Sequence, residues 1–433
     1  MNRKISIGVA LAVMIIVVAL TVSATMLIAM RQFNSQVTAL GERQKMYNYL
    51  SEVDNAVQQN YFYKNIDSTV LRRGIARGYI AGTEDPYAQY LSPADYAVEA
   101  ELLEGRAYGY GISVQEDADK QIRIVEVQPD SPAYSAGLLK NDIVIALDTI
   151  PLEADGLSKV VKKLSEVNAT DTASMILKIK REETEIAVEL SAATYNITSV
   201  ESRMIDDIGY IRIKSFNAAT DAQFKIAYTA LTDAGATGII LDLRNNRGGL
   251  LASAQNMLSY LLSRGLYAYY SYNTGRIEMK SDEMSYSMSL PAVSLVNENT
   301  AGEAELVAAV LSQSVYTPMI GRHTAGRSFT QKYFPLTSDK SAVKISVAQM
   351  SLIDGSNWED NGLRPAVDIS LTEEKMARFD TLTDEEDTQL QTALNRLAGG
   401  SYNPKPTEPT EPTDVTGTTE TGEEGTEPTD AAD

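Results

Sequence analysis

The sequence predicts an α/β protein carried behind an N-terminal anchor helix, and three observations lead there. Ile5 to Met30 is a run of 26 residues without a charge, preceded by Arg3 and Lys4. Residues 200–395 alternate strand-like and helix-like stretches around Gly238 to Leu243, a near-continuous apolar run of the kind a strand buried on both faces shows. After Gly399 the composition collapses to Thr, Glu, Pro and Gly.

The chain has 433 residues, 44% of them apolar, which is enough to bury two or three cores. Acidic residues outnumber basic ones 58 to 38, for a net charge of -20. That balance argues against nucleic acid as a partner, because phosphates need a basic surface. There is no cysteine, so disulfides, zinc thiolates and a cysteine nucleophile are excluded, and the single histidine, His323, excludes a multi-histidine metal site. No cofactor is expected.

The elements follow in order. As a helix the first run is about 39 Å long, more than the roughly 30 Å hydrocarbon core and longer than the apolar stretch of a cleaved leader. Residues 1–31 are read as a single-pass membrane anchor; cleavage at Ser23-Ala24-Thr25 is the alternative. The basic flank places the rest of the chain outside the cytoplasm. Residues 31–50 look like a polar juxtamembrane helix, and 32–100 as a whole like a helical segment that ends in Asp85-Pro86 and Ser92-Pro93. Residues 101–195 hold strand-like runs at Gly111 to Val114, Ile122 to Val127, Asp142 to Leu147, Met175 to Lys180 and Glu185 to Leu190, with a helix at Leu157 to Val167. In the core, strands are expected at Gly209 to Ile213, Gly238 to Leu243 and Ala292 to Val296, and helices at Asp221 to Asp233, Leu251 to Leu262 and Ala304 to Leu311. The segment 400–433 cannot bury enough apolar surface to offset its ordering entropy and is read as a disordered tail, either a spacer through a cell-wall layer or a solubilising end.

Two features of residues 101–195 go together. Tyr108-Gly109-Tyr110-Gly111-Ile112 opens a strand with glycines that let backbone amides converge on an anion. Ser131-Pro132-Ala133-Tyr134-Ser135-Ala136-Gly137-Leu138 then makes a turn and short helix before Asp142-Ile143-Val144. In this order, with the later helix, they resemble a PDZ domain of the bacterial protease type. The resemblance implies that Tyr108 to Ile112 holds the C-terminal carboxylate of a bound protein or peptide while the rest of it adds a strand to the sheet.

Residues 50–372 resemble the carboxyl-terminal processing peptidases, or tail-specific proteases. The resemblance rests on Gly238-Ile-Ile-Leu-Asp-Leu-Arg-Asn-Asn-Arg-Gly-Gly-Leu-Leu251, on Ile208 to Phe216, on Asp85-Pro86-Tyr87 with Tyr90-Leu91, and on Gly362-Leu363-Arg364-Pro365. Arg247 stands where the family usually has proline. The family mechanism uses a serine nucleophile and a lysine kept neutral by desolvation as base. The serine follows Asn-Glu-Asn-Thr-Ala; here Asn297 to Ala301 is intact and the next residue is Gly302. The lysine comes 25 positions later, where this chain has Arg327, and the supporting glutamine is present as Gln331. By resemblance Gly248 and Gly249 supply part of the oxyanion hole.

Glycine carries no nucleophile, and arginine, with a pKa above about 12, cannot act as a base near neutral pH. The resemblance therefore implies a pseudopeptidase that binds protein C-termini, with an active paralogous protease among its possible partners. The alternative is an active serine-type endopeptidase with relocated groups, for which Ser328, Lys332 and Thr300 are the neighbours available. Thr300 is read instead as a helix N-cap in a capping box with Glu303, and Glu303 and Glu305 as acids of a first helical turn or as a carboxylate pair for other chemistry. His323 is placed in a strand-end loop.

Overall fold

The structure, a computed structural model, describes residues 7–399 apart from 64, 149, 153–155, 168–172, 282–287 and 316. The tail expected at 400–433 and the basic flank Arg3 and Lys4 lie outside the described residues. Met1–Ala76 and Arg77–Asp433 are two compact units.

In the first unit one helix runs Ile7–Asn60. The separate juxtamembrane helix expected at 31–50 is therefore corrected: no break divides the apolar run from the polar one, because nothing between Arg31 and Leu50 is a proline or a turn pair. Among the described residues no helix is long and apolar enough to cross a membrane. The side chains at 7, 9–13 and 15 lie outside that description.

The second unit holds three sheets that matter for the site. The first is a six-stranded sheet in the order Val200–Ile205, Ile208–Ile213, Gly238–Asp242, Ala292–Val296, Met319–Gly321, Val367–Asp368. From Ile208–Ile213 onward its pairings are parallel. Its central strands Gly238–Asp242 and Ala292–Val296 are buried at every position, as their near-continuous apolar sequences lead one to expect. Helices Thr220–Asp233 and Leu251–Leu261 share one core with helix Glu303–Ser314, while Leu390 and Ala393 of helix Thr388–Ala398 belong to another. Helix Glu303–Ser314 is buried from Glu303 through Leu311. A helix apolar on all sides needs cover on all sides, and the second sheet completes it. That sheet joins Gln89–Leu91, Ala342–Leu352, Gly265–Tyr272, Gly275–Ser281 and Phe329–Pro335 in antiparallel pairs.

This second sheet corrects two expectations. Residues 200–395 do not simply alternate strand and helix, and residues 32–100 are not wholly helical, since Gln89–Leu91 pairs with Ala342–Lys344. Ser92 then caps helix Pro93–Leu103: its hydroxyl accepts from the Asp95 amide, Asp95 reaches back to the Ser92 amide, and Pro93 sits at the first helical position, where its missing N–H costs nothing.

The third sheet runs Ile112–Glu116, Ile122–Val127, Ile143–Leu147, Ser174–Arg181, Thr184–Ser191, with helix Gly156–Ser165 packed against it through Val160. Ile112–Glu116 is an edge strand, paired on one side only. Gln115 fastens this domain to the C-terminal part of the core, donating to the Ala377 carbonyl at 3.0 Å and accepting from the Asp380 amide at 2.8 Å.

Candidate active site

Strand Ala292–Val296 ends in a loop whose side chains are spent on backbone. The Asn297 carboxamide oxygen accepts from the Asn245 amide at 2.9 Å, and the Thr300 hydroxyl donates to the Leu243 carbonyl at 2.9 Å. Ala301 N–H donates to the Asn246 carbonyl at 2.9 Å, and Ala325 N–H to the Thr300 carbonyl at 2.9 Å. These bonds seat the loop against both neighbouring segments. The chain then turns at Gly302, with φ 60 and ψ -120, into helix Glu303–Ser314. Such a strand-turn-helix elbow is the shape that lifts a nucleophile out of a sheet. A Cβ built on Gly302 would meet nothing nearer than the Arg247 carbonyl oxygen at 3.8 Å and Gly248 Cα at 3.9 Å. A Cβ at this position would make only ordinary van der Waals contact with those atoms.

Glu305 ties this elbow to the second segment. Its Oε2 accepts from Gly302 N–H at 2.9 Å and from Arg327 N–H at 2.8 Å, so the two nitrogens stand no more than 5.7 Å apart, the sum of those bonds. Its Oε1 accepts from Gly326 N–H at 2.8 Å and from the Thr324 hydroxyl. Burial pushes the Glu305 carboxyl above its ordinary range, against the pull of these donors. The 25-residue spacing thus brings positions 302 and 327 together. Arg327 is exposed; its guanidinium lies 5.4 Å from the Tyr87 ring centre, and its carbonyl accepts from the Trp358 indole at 3.1 Å. Gln331 is close in sequence, but its carboxamide donates back to the Phe329 carbonyl at 2.8 Å across a bulge in its strand.

Two readings of this loop are corrected. Thr300 does not cap the helix: it is fully buried three residues before the helix starts, and its hydroxyl serves Leu243. Glu305, rather than Glu303, reaches back to the N-cap amide, because the positive φ of Gly302 delays the helix by two residues. Glu303 and Glu305 also do not act as a pair on one partner. Glu303 accepts from Gly249 N–H at 2.9 Å and from the Thr330 hydroxyl at 3.2 Å. Burial pushes its carboxyl up as well.

Gly248 and Gly249 sit directly against this helix start, at φ 91 and 142. Phe216 N–H donates to the Gly248 carbonyl at 3.0 Å and Leu250 N–H to the Phe216 carbonyl at 2.7 Å, so the turn is laid flat on the Phe216 backbone. A Cβ on Gly249 would fall well under 3.0 Å from the Phe216 carbonyl oxygen.

The other hydroxyls are engaged. Ser328 is fully buried and donates to Glu359 at 2.7 Å; Thr324 donates to Glu305, Thr330 to Glu303 and Thr300 to Leu243. Among the described residues none of the four hydrogen-bonds a lysine amine. Lys332 is exposed on its strand. His323, after strand Met319–Gly321, accepts from Arg364 at 3.4 Å. Sequence reasoning overlooked Tyr87 and Glu359, which complete the surroundings of Arg327 and Ser328: the Tyr87 hydroxyl donates to Glu359 at 3.0 Å, and burial with that carboxylate pushes Tyr87 up to about 12. Their signal was available only as a long-range pairing of positions 272 residues apart.

In the 112–116 domain, Tyr108 and Gly109 belong to strand Arg106–Gly109, which pairs with Ala193–Asn196. Tyr110 is buried in the domain core. Its carbonyl accepts from Ala133 N–H at 3.0 Å, and the Gly111 carbonyl accepts from Gln128 N–H at 2.8 Å. In a trans peptide the next N–H points the opposite way. The amides of Gly111 and Ile112 therefore face away from the body of the domain, at the start of the open edge strand. Gly111 has φ 80, and a Cβ there would collide with the Ser131 side chain.

Residues 207–369 match the family model described as peptidase family S41, and residues 109–191 match that of the PDZ domain. The chain is 30% identical over 336 residues to the carboxy-terminal processing protease CtpA of Bacillus subtilis, covering 75% of this chain and 69% of that one. It is 27% identical over 326 residues to the carboxyl-terminal-processing protease of Synechocystis sp., covering 74% and 75%. Among solved structures, a putative S41 protease from Bacteroides fragilis shares the fold at a TM-score of 0.55 and 18% identity, over 80% of this chain and 97% of that one. With the elbow, the edge strand and these likenesses together, the chain belongs to the carboxyl-terminal processing proteases of peptidase family S41, with a PDZ domain.

Proposed function

We propose that this member of the family is a pseudopeptidase: it binds protein C-termini through the PDZ edge strand and does not cleave them. The observation that carries the reading is the elbow at Gly302. The backbone turn, the space above it and the Glu305 tether to residue 327 are intact, while the hydroxyl and the neutral amine that acyl transfer needs are replaced by a hydrogen and a guanidinium. Among the described residues the hydroxyls of Thr300, Thr324, Ser328 and Thr330 are bonded to carbonyl or carboxylate oxygens and not to a lysine amine, which counts against the relocated-catalysis reading. The relatives' names as C-terminal processing proteases, and the outward amides of Gly111 and Ile112, support a peptide carboxylate as the ligand, with an active paralogous protease as a candidate partner.

The same proposal places the chain in a membrane by residues 1–31, with the bulk of it extracytoplasmic. Met14, Ile16, Leu20, Leu27 and Ile28 are each more than half exposed along helix Ile7–Asn60. Apolar side chains on every side of a helix call for lipid or protein around them.

The test uses purified protein. It should not degrade an unfolded protein substrate, should not be labelled by a fluorophosphonate, and should bind peptides with an apolar C-terminus in the micromolar range, about -8 kcal/mol, more weakly once they are amidated. A fluorophosphonate adduct mapped to a serine of this chain would overturn the pseudopeptidase reading. Equal affinity for acid and amide would overturn the assigned groove.

A further inference from the structure

Beyond the two absent groups, the site carries a third change that is written in its hydrogen bonds. Glu303 follows the elbow directly. Its carboxylate is buried, and its Oε2 accepts from Gly249 N–H at 2.9 Å. Gly248 curves so closely around it that a Cβ there would strike the same Oε2. Thr330 donates to the other oxygen at 3.2 Å. From the neighbouring strand, the Tyr270 hydroxyl is buried nearby without a hydrogen-bond partner among the described residues.

In an acyl transfer the amide after the nucleophile and an amide from a neighbouring turn hold the oxygen on which negative charge develops. At this elbow those positions are Glu303 N–H and Gly249 N–H; the Glu303 carboxylate is seated on the Gly249 amide, and a Cβ on Gly248 would both strike its Oε2 and lie 3.2 Å from Glu303 N, so carboxylate and amide share that side of the turn. We propose that Glu303 is the resident ligand of the oxyanion site, so that the pocket is closed to a substrate carbonyl independently of the missing serine and lysine. This rests on the pseudopeptidase reading. It predicts that restoring the two reactive groups alone does not restore chemistry, because an incoming carbonyl oxygen meets a negative charge where it needs a donor.

The experiment compares the full chain carrying Gly302→Ser and Arg327→Lys with the same chain carrying Glu303→Ala as well, following the rate at which the introduced serine is labelled by a fluorophosphonate. Loss of an oxyanion donor typically slows such chemistry about 10²- to 10³-fold, so the triple variant should be labelled faster by that order. Equal labelling of the two variants at a measurable rate would overturn the proposal. Should neither be labelled, hydrogen exchange at the Gly249 amide decides: acceleration in Glu303→Ala relative to the unmodified protein supports the contact, and unchanged exchange overturns it. None of these readouts uses cleavage by the unmodified chain, so failure of the pseudopeptidase reading would show separately.

Discussion

Placing a serine at the elbow should be cheap, and the structure says by how much. Gly302 adopts φ 60 and ψ -120, a conformation that L-residues rarely take. Holding a side chain there costs about 1–3 kcal/mol. Restricting the unfolded chain returns about 0.4–1 kcal/mol. No steric term is added, since the nearest atoms to a built Cβ are 3.8 and 3.9 Å away. Gly302→Ser should therefore cost about 1–2 kcal/mol net. Gly249→Ser is the contrast. Its Cβ would lie well under 3.0 Å from the Phe216 carbonyl oxygen, and that backbone is pinned by the bonds Phe216 N–H to Gly248 and Leu250 N–H to Phe216, at 3.0 and 2.7 Å. Relief means breaking both, which puts the loss at about 4 kcal/mol or beyond. The single tryptophan, Trp358, is buried in the same core and bonded to the Arg327 carbonyl, so its fluorescence follows this site during urea unfolding. At a slope of about 3 kcal/mol/M, Gly302→Ser should lower the midpoint by about 0.3–0.7 M. A loss as large as that of Gly249→Ser would refute the claim that a side-chain position is preserved at the elbow.

Three further outcomes are expected. Glu305→Gln should be nearly as damaging as Glu305→Ala, because each carboxylate oxygen takes two donors and the new amide must face one of those pairs; two orphaned buried donors amount to about 2–6 kcal/mol, and a loss below about 1 kcal/mol in the same unfolding assay would contradict the tether. Burial raises the Glu303 carboxyl, so between the ordinary carboxyl value of about 4.3 and its raised one the folded chain holds a proton that the unfolded chain releases, and stability falls as pH rises through that window. Glu303→Gln removes the slope: its Tm should gain on the unmodified protein from pH 4 toward pH 8 and lose the advantage below about pH 4, whereas a gap constant in pH would count against it. Gly111→Ala forces a Cβ into Ser131 and should abolish binding of carboxyl-terminated peptides while the core transition seen by Trp358 stays in place, and retained affinity would remove Gly111 from the binding loop.

How much of this could be read beforehand depended on burial. Ile122–Val127 and Ala292–Val296 are legible to the residue because their β-branched, largely apolar stretches are bounded by polar turns, and Gly238–Asp242 differs from its expected end by one residue. The antiparallel sheet was not legible. Gly265–Tyr272 reads Gly-Leu-Tyr-Ala-Tyr-Tyr-Ser-Tyr, in which both faces carry tyrosines and the inside-outside contrast is weak. Gln89–Leu91 is three residues long and is a strand only because Ala342–Lys344 is there to pair with it. At the site, the spacing from 302 to 327 was visible, but the identity of the capping acid was not. Thr300-x-x-Glu303 fits the capping-box template and Gly302-x-x-Glu305 does not, yet the positive φ at Gly302 starts the helix there and leaves Glu305 to reach back to the N-cap amide. The occupation of Gly249 by Glu303 has no signature in local sequence, since the two are 54 residues apart.

The side chains that make the family motif recognisable are held in place by the fold, whatever becomes of the chemistry. Asn246 supports the Ile213 carbonyl and the Gly248 amide, each at 2.9 Å; Asn297 fixes Asn245; Thr300 ties to Leu243; Glu305 joins four donors from two segments. Changing any of them orphans buried polar groups, at about 1–3 kcal/mol each. The two reactive positions are under no such constraint. Arg327 serves the fold through its main-chain N–H and carbonyl, which any residue supplies, and its side chain reaches solvent. At position 302 a serine is the strained choice and glycine the relaxed one. Glycine in place of serine there therefore gains about 1–2 kcal/mol net, the reverse of the cost of Gly302→Ser. A chain released from catalysis would be expected to drift in this direction first, keeping the scaffold and its peptide-binding edge while the reactive atoms disappear. Under the proposed pseudopeptidase reading, an intact motif with altered residues at 302 and 327 is the pattern that this difference in constraint would produce.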